Sequence, residues 1–257
     1  MSVPEDEQGW RRLIRSGQPP AWQVLAEATG GSAWRRDGVL AAIVPIAPER
    51  SIFNSVFYGD PAPLLESLDE IAAAYDAAGC AAWAVWVPEA DRETAVALEA
   101  AGHKLDSEPR DMGMALADLA APEPDPELEI FEREDYVALA RINEASYGYA
   151  SGELEAIERA RMPGTRIYFG SLGGEEIATL GIVPLNSDAI VVWVAVLPEA
   201  RGRGVSGRML ALALENASRD GLETTTLQAS SLGYPVYEKL GYRDYGVVEM
   251  WERRASD

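Results

Sequence analysis

The chain has 257 residues, of which 47% are hydrophobic and 25% charged, and its formal net charge is −20. This composition can bury the core of one large or two small domains, and it excludes a disordered chain and a basic nucleic-acid-binding face. The longest strongly apolar run, AIVVWVAVL, is far shorter than the ~20 residues that span a bilayer, so we expect a soluble, cytoplasmic protein without membrane or nucleic-acid partners.

The first half of the chain contains two segments typical of strands, GVLAAIVPI (38–46) and FNSVFYG (53–59), and then a long helical segment, PLLESLDEIAAAYDAAG (63–79). The segment LEAAGHKLDSEPRDMGMAL (98–116) follows, with the pattern of a short helix, a glycine stop at Gly102 and a strand. The first half therefore predicts mixed α and β structure.

The second half begins after APEPDPELE (121–129), an acidic, proline-rich stretch that is typical of a linker. Apolar periodicity and turn residues predict its helices and strands. In order they are the strand LEIFERE (128–134), the helices EDYVALARINEASY (134–147) and SGELEAIERARM (151–162, capped by Ser151), the strands RIYFGSL (166–172), ATLGIVPL (178–185) and AIVVWVAVL (189–197), the helix GVSGRMLALALENASRD (204–220), the strand TTLQAS (225–230), the helix PVYEKLG (235–241) and the strand DYGVVEMWER (244–253).

The ends of the two halves resemble each other. LEAAGHKLDSEPRDMGMAL and YEKLGYRDYGVVEMWER both place a short helix, a glycine stop and a strand in succession. This likeness predicts an internal duplication, with domains at 1–120 and 127–257 joined by a linker at 121–126.

Three arginines and three glycines fall within RGRGVSGR (201–208), in an otherwise acidic chain. Glycine lets the backbone approach an anion closely, and the free N–H groups of a helix start attract negative charge. The stretch contains G-x-G-x-x-G, but a dinucleotide fingerprint belongs after the first strand and needs an acid after the next one, where Ala229 and Ser230 stand. The alternatives are a different phosphate loop and a solvated arginine turn.

The segment VAVLPEARGRGVSGRML (194–210), followed by GYPVYEKLGY (233–242), resembles the acetyl-CoA motifs of the GNAT superfamily of N-acetyltransferases. Arg201, Gly204 and Ser206 match the family pattern R-x-x-G-x-G/A, with serine replacing the last small residue. The resemblance covers residues 127–255 well. It implies an α/β protein of two GNAT-like halves, each a mixed, mostly antiparallel sheet flanked by helices, in which the second half is active and the first degenerate.

This resemblance also implies a reaction: transfer of an acetyl group from acetyl-CoA to a small-molecule or protein amine, without a metal. Tyr237, a phenol with an ordinary pKa of ~10, would protonate the departing thiolate. The N–H near Ala195 would polarise the thioester carbonyl. The implied cofactor-binding residues are Val194, Ala195 and Val196 along the pantetheine arm, Arg201, Gly202, Arg203, Gly204, Val205, Ser206 and Gly207 around the pyrophosphate, and Ser230.

The acceptor pocket is expected between the first two helices of the second half, lined by Tyr147, Tyr149 and Glu153. The usual position of the family's general base falls on Ile190, which cannot accept a proton. The candidates that remain are Glu144, Tyr147, Tyr149 and Glu153. Without an assigned base, two other functions stay open: a non-catalytic acyl-CoA sensor and an interaction scaffold. The acceptor's identity and the oligomeric state are not encoded in any motif we find.

Overall fold

The computed structural model describes residues 3–255. The helices are α1 (Glu7–Ala28), α2 (Pro61–Ala77), α3 (Arg92–Ala100), α4 (Tyr136–Tyr147), α5 (Glu155–Arg159), α6 (Val205–Arg219) and α7 (Tyr234–Leu240). The strands are β1 (Ser32–Arg36), β2 (Val39–Ile43), β3 (Ser55–Phe57), β4 (Ala82–Pro88), β5 (Lys104–Ser107), β6 (Arg110–Ala115), β7 (Leu128–Glu132), β8 (Arg166–Leu172), β9 (Glu175–Leu185), β10 (Asp188–Val196), β11 (Thr224–Ala229) and β12 (Arg243–Arg254). Within residues 3–255, no helix is long and apolar enough to cross a membrane.

The chain divides into two compact units. The first combines the residues up to Gly17 with Arg110–Tyr245, and the second combines Gln18–Pro109 with the residues from Gly246 onward. Each unit is therefore built from both halves of the sequence. The fold is α/β, with mixed sheets and helices packed against them, as the sequence predicts.

The sheet of the first unit has the strand order β6-β11-β10-β9-β8-β7. Strands β10 and β11 run parallel, and the other neighbouring pairs in this sheet run antiparallel. Helix α6 packs its apolar side on this sheet, with Met209, Leu210 and Leu214 fully buried. Gly170 of β8 makes room for this helix, because a Cβ there would lie only 2.6 Å from the Met209 sulfur.

The sheet of the second unit has the order β1-β2-β3-β4-β12, and β5 also pairs with β12. It too contains one parallel pair, β3 with β4. Its core stacks Tyr75 of α2 on Trp83 of β4, with ring centroids 5.0 Å apart. The buried His103 ring stands edge-on to the Trp83 ring, with ring centroids 4.6 Å apart.

One strand in each unit comes from the opposite half of the sequence. Strand β6 pairs with β11 at six positions, from Thr224 opposite Ala115 to Ala229 opposite Arg110. In the second unit, residues 248–254 of β12 pair with β4. The segment 121–126, which the sequence indicates as the border between two domains, lies inside the Arg110–Tyr245 range of the first unit.

Most predicted elements are present, but the helix predicted at 151–162 is wrong in length. Helix α5 spans only Glu155–Arg159, and Ser151 does not cap it. The cause is Gly152, whose φ of +89° breaks the helix, together with the Glu144 carboxylate, which accepts hydrogen bonds from the Gly152 and Leu154 amides. By contrast, Gly102 and Gly241, the two glycine stops, both have positive φ as expected of helix ends.

The exchanged strands predict that the halves cannot fold separately. A fragment beginning at residue 121 lacks β6 and leaves the edge of β11 unpaired, so it should be insoluble or should unfold without cooperativity. Coexpression with residues 1–120 should restore a soluble complex that unfolds cooperatively. Circular dichroism and gel filtration would check this, with the intact chain as control. A monomeric, cooperatively folded 121–257 fragment would contradict it.

Candidate functional site

Strands β10 and β11 part within the sheet of the first unit. They pair in parallel at only three positions, of which the last joins Ile190 to Thr226, although β10 continues to Val196 and β11 to Ala229. On its other edge β11 stays paired with β6 to the end of the strand. The backbone of β10 beyond Ile190 therefore faces an opening instead of a neighbouring strand.

A β-bulge shapes β10 beside this opening. The register with β9 shifts between Val192 and Ala195, and Trp193 adopts a left-handed φ of +53°. The Asn143 side chain of α4 donates to the Trp193 carbonyl oxygen at 3.4 Å and to the Thr179 hydroxyl at 3.1 Å. A non-glycine residue at positive φ is held by its surroundings, and here that support comes from α4 and β9.

Two side chains donate hydrogen bonds to the backbone carbonyl groups that point into the opening. The Tyr147 hydroxyl donates to the Val194 oxygen at 2.9 Å, and the Arg201 Nε–H donates to the Val196 oxygen at 3.1 Å. The next amide, of Leu197, donates to Ile177 of β9. Since backbone groups alternate between the two edges of a strand, Val194 and Val196 face the opening, whereas Ala195 faces β9.

The glycine-rich turn leads from this opening into α6. Gly202 and Gly204 both have positive φ, of +75° and +74°, which other residues rarely adopt. Gly204 is the N-cap of α6 and supplies no side-chain acceptor, so the amides of Val205, Ser206 and Gly207 begin the helix without a side-chain cap. Uncapped amides at the positive end of a helix dipole are suited to hold an anion.

The three arginines of this turn have different surroundings. Arg201 also donates to the Ser146 carbonyl at 2.5 Å, so its guanidinium joins the end of α4 to the end of β10. Arg208 donates to the carbonyls of Arg203 and Glu123 and thereby braces the turn. Arg203 is exposed, with only a 3.4 Å ion pair to the exposed Glu127. Of the three, Arg203 is therefore the one most free to meet a ligand.

Tyr237 of α7 belongs to the hydrophobic core of the first unit and is only 7% exposed. Its ring lies against Gly233, where a Cβ would be 2.7 Å from Tyr237 Cε2, and packs 5.8 Å from the Tyr242 ring. Burial raises the pKa of Tyr237, and the nearby Tyr147 raises it further. The ordinary pKa of ~10 expected from the sequence is thus wrong, because the phenol is removed from water.

Tyr147 and Tyr149 form the predicted acceptor side of the site. The Tyr147 ring is 55% exposed, lies 6.2 Å from that of Tyr149, and inserts its hydroxyl toward Val194. Burial of that hydroxyl raises the pKa of Tyr147, Tyr149 reinforces this effect and Arg201 opposes it. The structure therefore brings Tyr147 to the opening between the strands, with Tyr149 beside it.

The two predicted acids of this region are engaged in local structure. Glu144 is 4% exposed and binds two backbone amides of the α4–α5 loop with one carboxylate oxygen. Glu153 accepts a hydrogen bond from the Ala150 amide at 2.8 Å, within the same loop. Ser230, at the end of β11, accepts from the Gly233 amide at 3.3 Å and starts the turn into α7.

A family model for the acetyltransferase (GNAT) domain matches residues 132–244, which include the parted strands, the glycine-rich turn and Tyr237. This match identifies a GNAT domain at residues 132–244. The GNAT match thus covers the bulged strand, α6 and α7, in agreement with the resemblance seen in the sequence.

Solved structures share this GNAT fold. A GCN5-related N-acetyltransferase from Kribbella flavida has a TM-score of 0.69 and 16% identity, over 95% of each chain. One from Sphaerobacter thermophilus has a TM-score of 0.61 and 12% identity, over 85% of this chain and 77% of that one. A tandem GNAT protein from the clavulanic acid biosynthesis pathway has a TM-score of 0.53 and 13% identity, over 73% and 68%. At such identities the likeness establishes the fold.

The different surroundings of the arginines predict different effects of substitution. Arg201→Gln should lower the free energy of unfolding by about 1 kcal/mol, because it removes two hydrogen bonds from a charged donor at a partly exposed place. Arg203→Gln should leave the melting temperature unchanged. Thermal denaturation of both variants checks this difference, and equal losses of stability would contradict it.

Proposed function

We propose that the chain transfers an acetyl group from acetyl-CoA to an amine at the opening between β10 and β11. The parting of these strands after Ile190 and Thr226, directly before an uncapped helix start, is the observation that carries the proposal. An unpaired strand edge can accept an extended ligand by backbone hydrogen bonds, and the helix start can hold a phosphate. Acetyl-CoA offers both features, an amide-containing arm and a pyrophosphate.

In this proposal the pyrophosphate lies on the amides of Val205, Ser206 and Gly207, where Gly202 and Gly204 keep the approach free of side chains. The exposed Arg203 adds charge to this turn. Arg201 acts differently from the sequence expectation: it fixes the position of the turn through Val196 and Ser146. In a chain of net charge −20, this turn concentrates the positive potential that an anion needs.

The pantetheine arm would pair with the backbone edge of Val194 and Val196 and displace the Tyr147 hydroxyl from the Val194 oxygen. Ala195 faces β9, so its N–H cannot stabilise the oxyanion as the resemblance implies. The N–H groups of Val194 and Val196, which face the opening, would do so instead. Tyr147, released from its bond, would then line the acceptor side together with Tyr149.

Tyr237 supplies the proton for the leaving group. As the amine nitrogen bonds to the acetyl carbon, the carbon–sulfur bond breaks and the thiolate takes the phenolic proton of Tyr237. The raised pKa keeps this phenol protonated throughout the neutral range, so the donor form is always present. Burial at 7% exposure also keeps water from competing for the transfer.

A second candidate function, a non-catalytic acyl-CoA sensor, is favoured by one observation. Glu144 and Glu153, the acids that the sequence offers as bases, are both hydrogen-bonded within the α4–α5 loop. A sensor would need the binding loop and no base.

We further propose that only the first unit binds acetyl-CoA. The second unit has its own parallel pair, β3 with β4, but α2 begins after Asp60 with Pro61 and Pro63 in its first turn. Proline has no N–H to donate, and the carboxylate of Asp60 repels a phosphate. The start of α2 therefore lacks both features that suit α6 to an anion.

Calorimetric titration with acetyl-CoA should find one site per chain. Replacing Arg203 by Gln should weaken binding by about tenfold, consistent with the loss of one charge-assisted hydrogen bond. The exposed Arg36→Gln, on β1 of the second unit, serves as a control of equal charge change. Two sites per chain would contradict the proposal for α2, and no binding at millimolar concentration would contradict the function as a whole.

Tyr237→Phe separates the enzyme from the sensor. The phenylalanine keeps the ring against Gly233 and removes only the hydroxyl. We expect a loss of about 10²-fold in kcat, with the acetyl-CoA affinity nearly unchanged, because the proton is needed only as the thiolate departs. Release of free thiol measures turnover, and calorimetry measures affinity. Wild-type protein that binds acetyl-CoA but acetylates no amine would instead support the sensor.

A further inference from the structure

Strand β6 brings an acid from the first half of the sequence to the opening. In the β6–β11 ladder Asp111 lies directly opposite Gln228, two residues beyond Thr226, the last residue of β11 that pairs with β10. Asp111 is thus one strand away from the part of β11 that borders the opening. No pattern in the first half alone indicates this placement.

Asp111 and Tyr237 lie on opposite faces of the sheet. Gln228 and Thr226 share the face of Asp111, because side chains alternate along a strand and Asp111 accepts a hydrogen bond from Gln228 Nε2 at 3.3 Å. Thr225 points to the other face, where its hydroxyl bonds Tyr242, whose ring packs on Tyr237. A group bound in the opening would therefore meet Tyr237 from one face and Asp111 from the other.

The first turns of α1 cover the face of Asp111. Trp10 lies on Gly113 of β6, where a Cβ would be 3.0 Å from the Trp10 ring. Gly17 lies against the Ile190 side chain of β10, and a Cβ at Gly17 would be 3.0 Å from Ile190 Cδ1. Asp111 is 2% exposed beneath this cover. The site is therefore enclosed on this side by residues 7–17.

The surroundings of Asp111 suit it to exchange a proton near neutrality. Burial raises the pKa of Asp111 to about 6; the hydrogen bond from Gln228 and the charges of Arg15 and Arg11 on α1 oppose this rise, and Asp244 of β12 adds to it. A base is most effective when its pKa lies close to the working pH. At pH 7 this carboxylate is mostly ionised and can accept a proton.

The other buried acids near the opening are already engaged by more hydrogen bonds. Asp188 accepts from the Thr224 and Thr226 hydroxyls at 2.7 and 2.5 Å and lies at the paired end of β10 and β11. Glu144 holds two amides of the α4–α5 loop. Among the described residues, Asp111 has one side-chain hydrogen bond, of 3.3 Å from Gln228, and so keeps the capacity to bind an incoming donor.

We propose that Asp111 is the catalytic base, and that the amine lies between Asp111 and the opening on the face opposite Tyr237. This inference rests on the proposed function. The neutral amine forms the nitrogen–carbon bond and gives one proton to Asp111, while the carbon–sulfur bond breaks and the thiolate takes one proton from Tyr237. Solvent then returns the proton from Asp111 to Tyr237, so the net change is one proton moved from nitrogen to sulfur.

The test compares four variants in full-length protein: Asp111→Asn, Arg15→Gln, Arg12→Gln and Gln228→Leu. Thiol release is measured from pH 5 to 9 with acetyl-CoA and the fastest amine of a panel of diamines, aromatic amines and lysine peptides. Calorimetry gives the acetyl-CoA affinity of each variant, and thermal denaturation confirms that each is folded. Arg12 is exposed on α1 and is not among the charges that shift the pKa of Asp111, so it is the matched control for Arg15.

When kcat/KM is expressed per concentration of neutral amine, the wild type should lose activity as the pH falls below about 6, because Asp111 then becomes protonated; this loss is the acidic limb of the profile. Asp111→Asn should bind acetyl-CoA normally, lose about 10²-fold or more of kcat/KM and lack this acidic limb. Arg15→Gln and Gln228→Leu should move the limb to higher pH, since each removes a contact that lowers the pKa, whereas Arg12→Gln should not move it.

If Asp111→Asn keeps kcat/KM within about twofold and retains the acidic limb, Asp111 is not the base, although the transferase function stands. An unmoved limb in both Arg15→Gln and Gln228→Leu would likewise overturn the assignment. Wild-type protein that binds acetyl-CoA and releases no thiol with any amine of the panel would overturn the proposed function and the base together.

Discussion

The separation of β10 from β11 is the constraint on which the rest of the site depends. The ladder between β6 and β11 holds β11 on one side, while the bulge at Trp193 turns β10 away on the other. The carbonyls of Val194 and Val196 lose a strand partner and are satisfied by Tyr147 and Arg201 instead. The sheet thus contains an internal edge, and such an edge can receive an extended ligand without the aggregation hazard of an exposed one.

The exchange of strands gives the first half of the sequence a role in this site. The first half has no glycine-rich turn and begins its comparable helix with prolines, yet its strand β6 supports β11 and places Asp111 beside the opening. Residues 7–17 of α1 complete the same unit by covering that face. The first half, for which we propose no cofactor site, thus contributes a strand to the unit that contains the glycine-rich turn.

Local features of the site could be predicted from the sequence, and non-local ones could not. The turn at 201–208, the start of α6 and the stop at Gly241 follow from glycine chemistry over a few residues, and all are present. The role of Arg201, the raised pKa of Tyr237 and the engagement of Glu144 depend on contacts between distant segments. The placement of Asp111 depends on the pairing of β6 with β11, which joins residues on opposite sides of the linker expected at 121–126.

The proposed binding mode is tested most directly by a crystal structure of the protein with acetyl-CoA. If acetyl-CoA binds as proposed, its pantetheine arm lies between β10 and β11 with hydrogen bonds to Val194 and Val196, and its pyrophosphate lies on the amides of residues 205–207. Tyr147 should have left the Val194 oxygen, and the thioester should lie between Tyr237 and the face of Asp111. Acetyl-CoA bound elsewhere on the protein, with the hydrogen bond between Tyr147 and Val194 intact, would contradict the proposed role of the opening between β10 and β11.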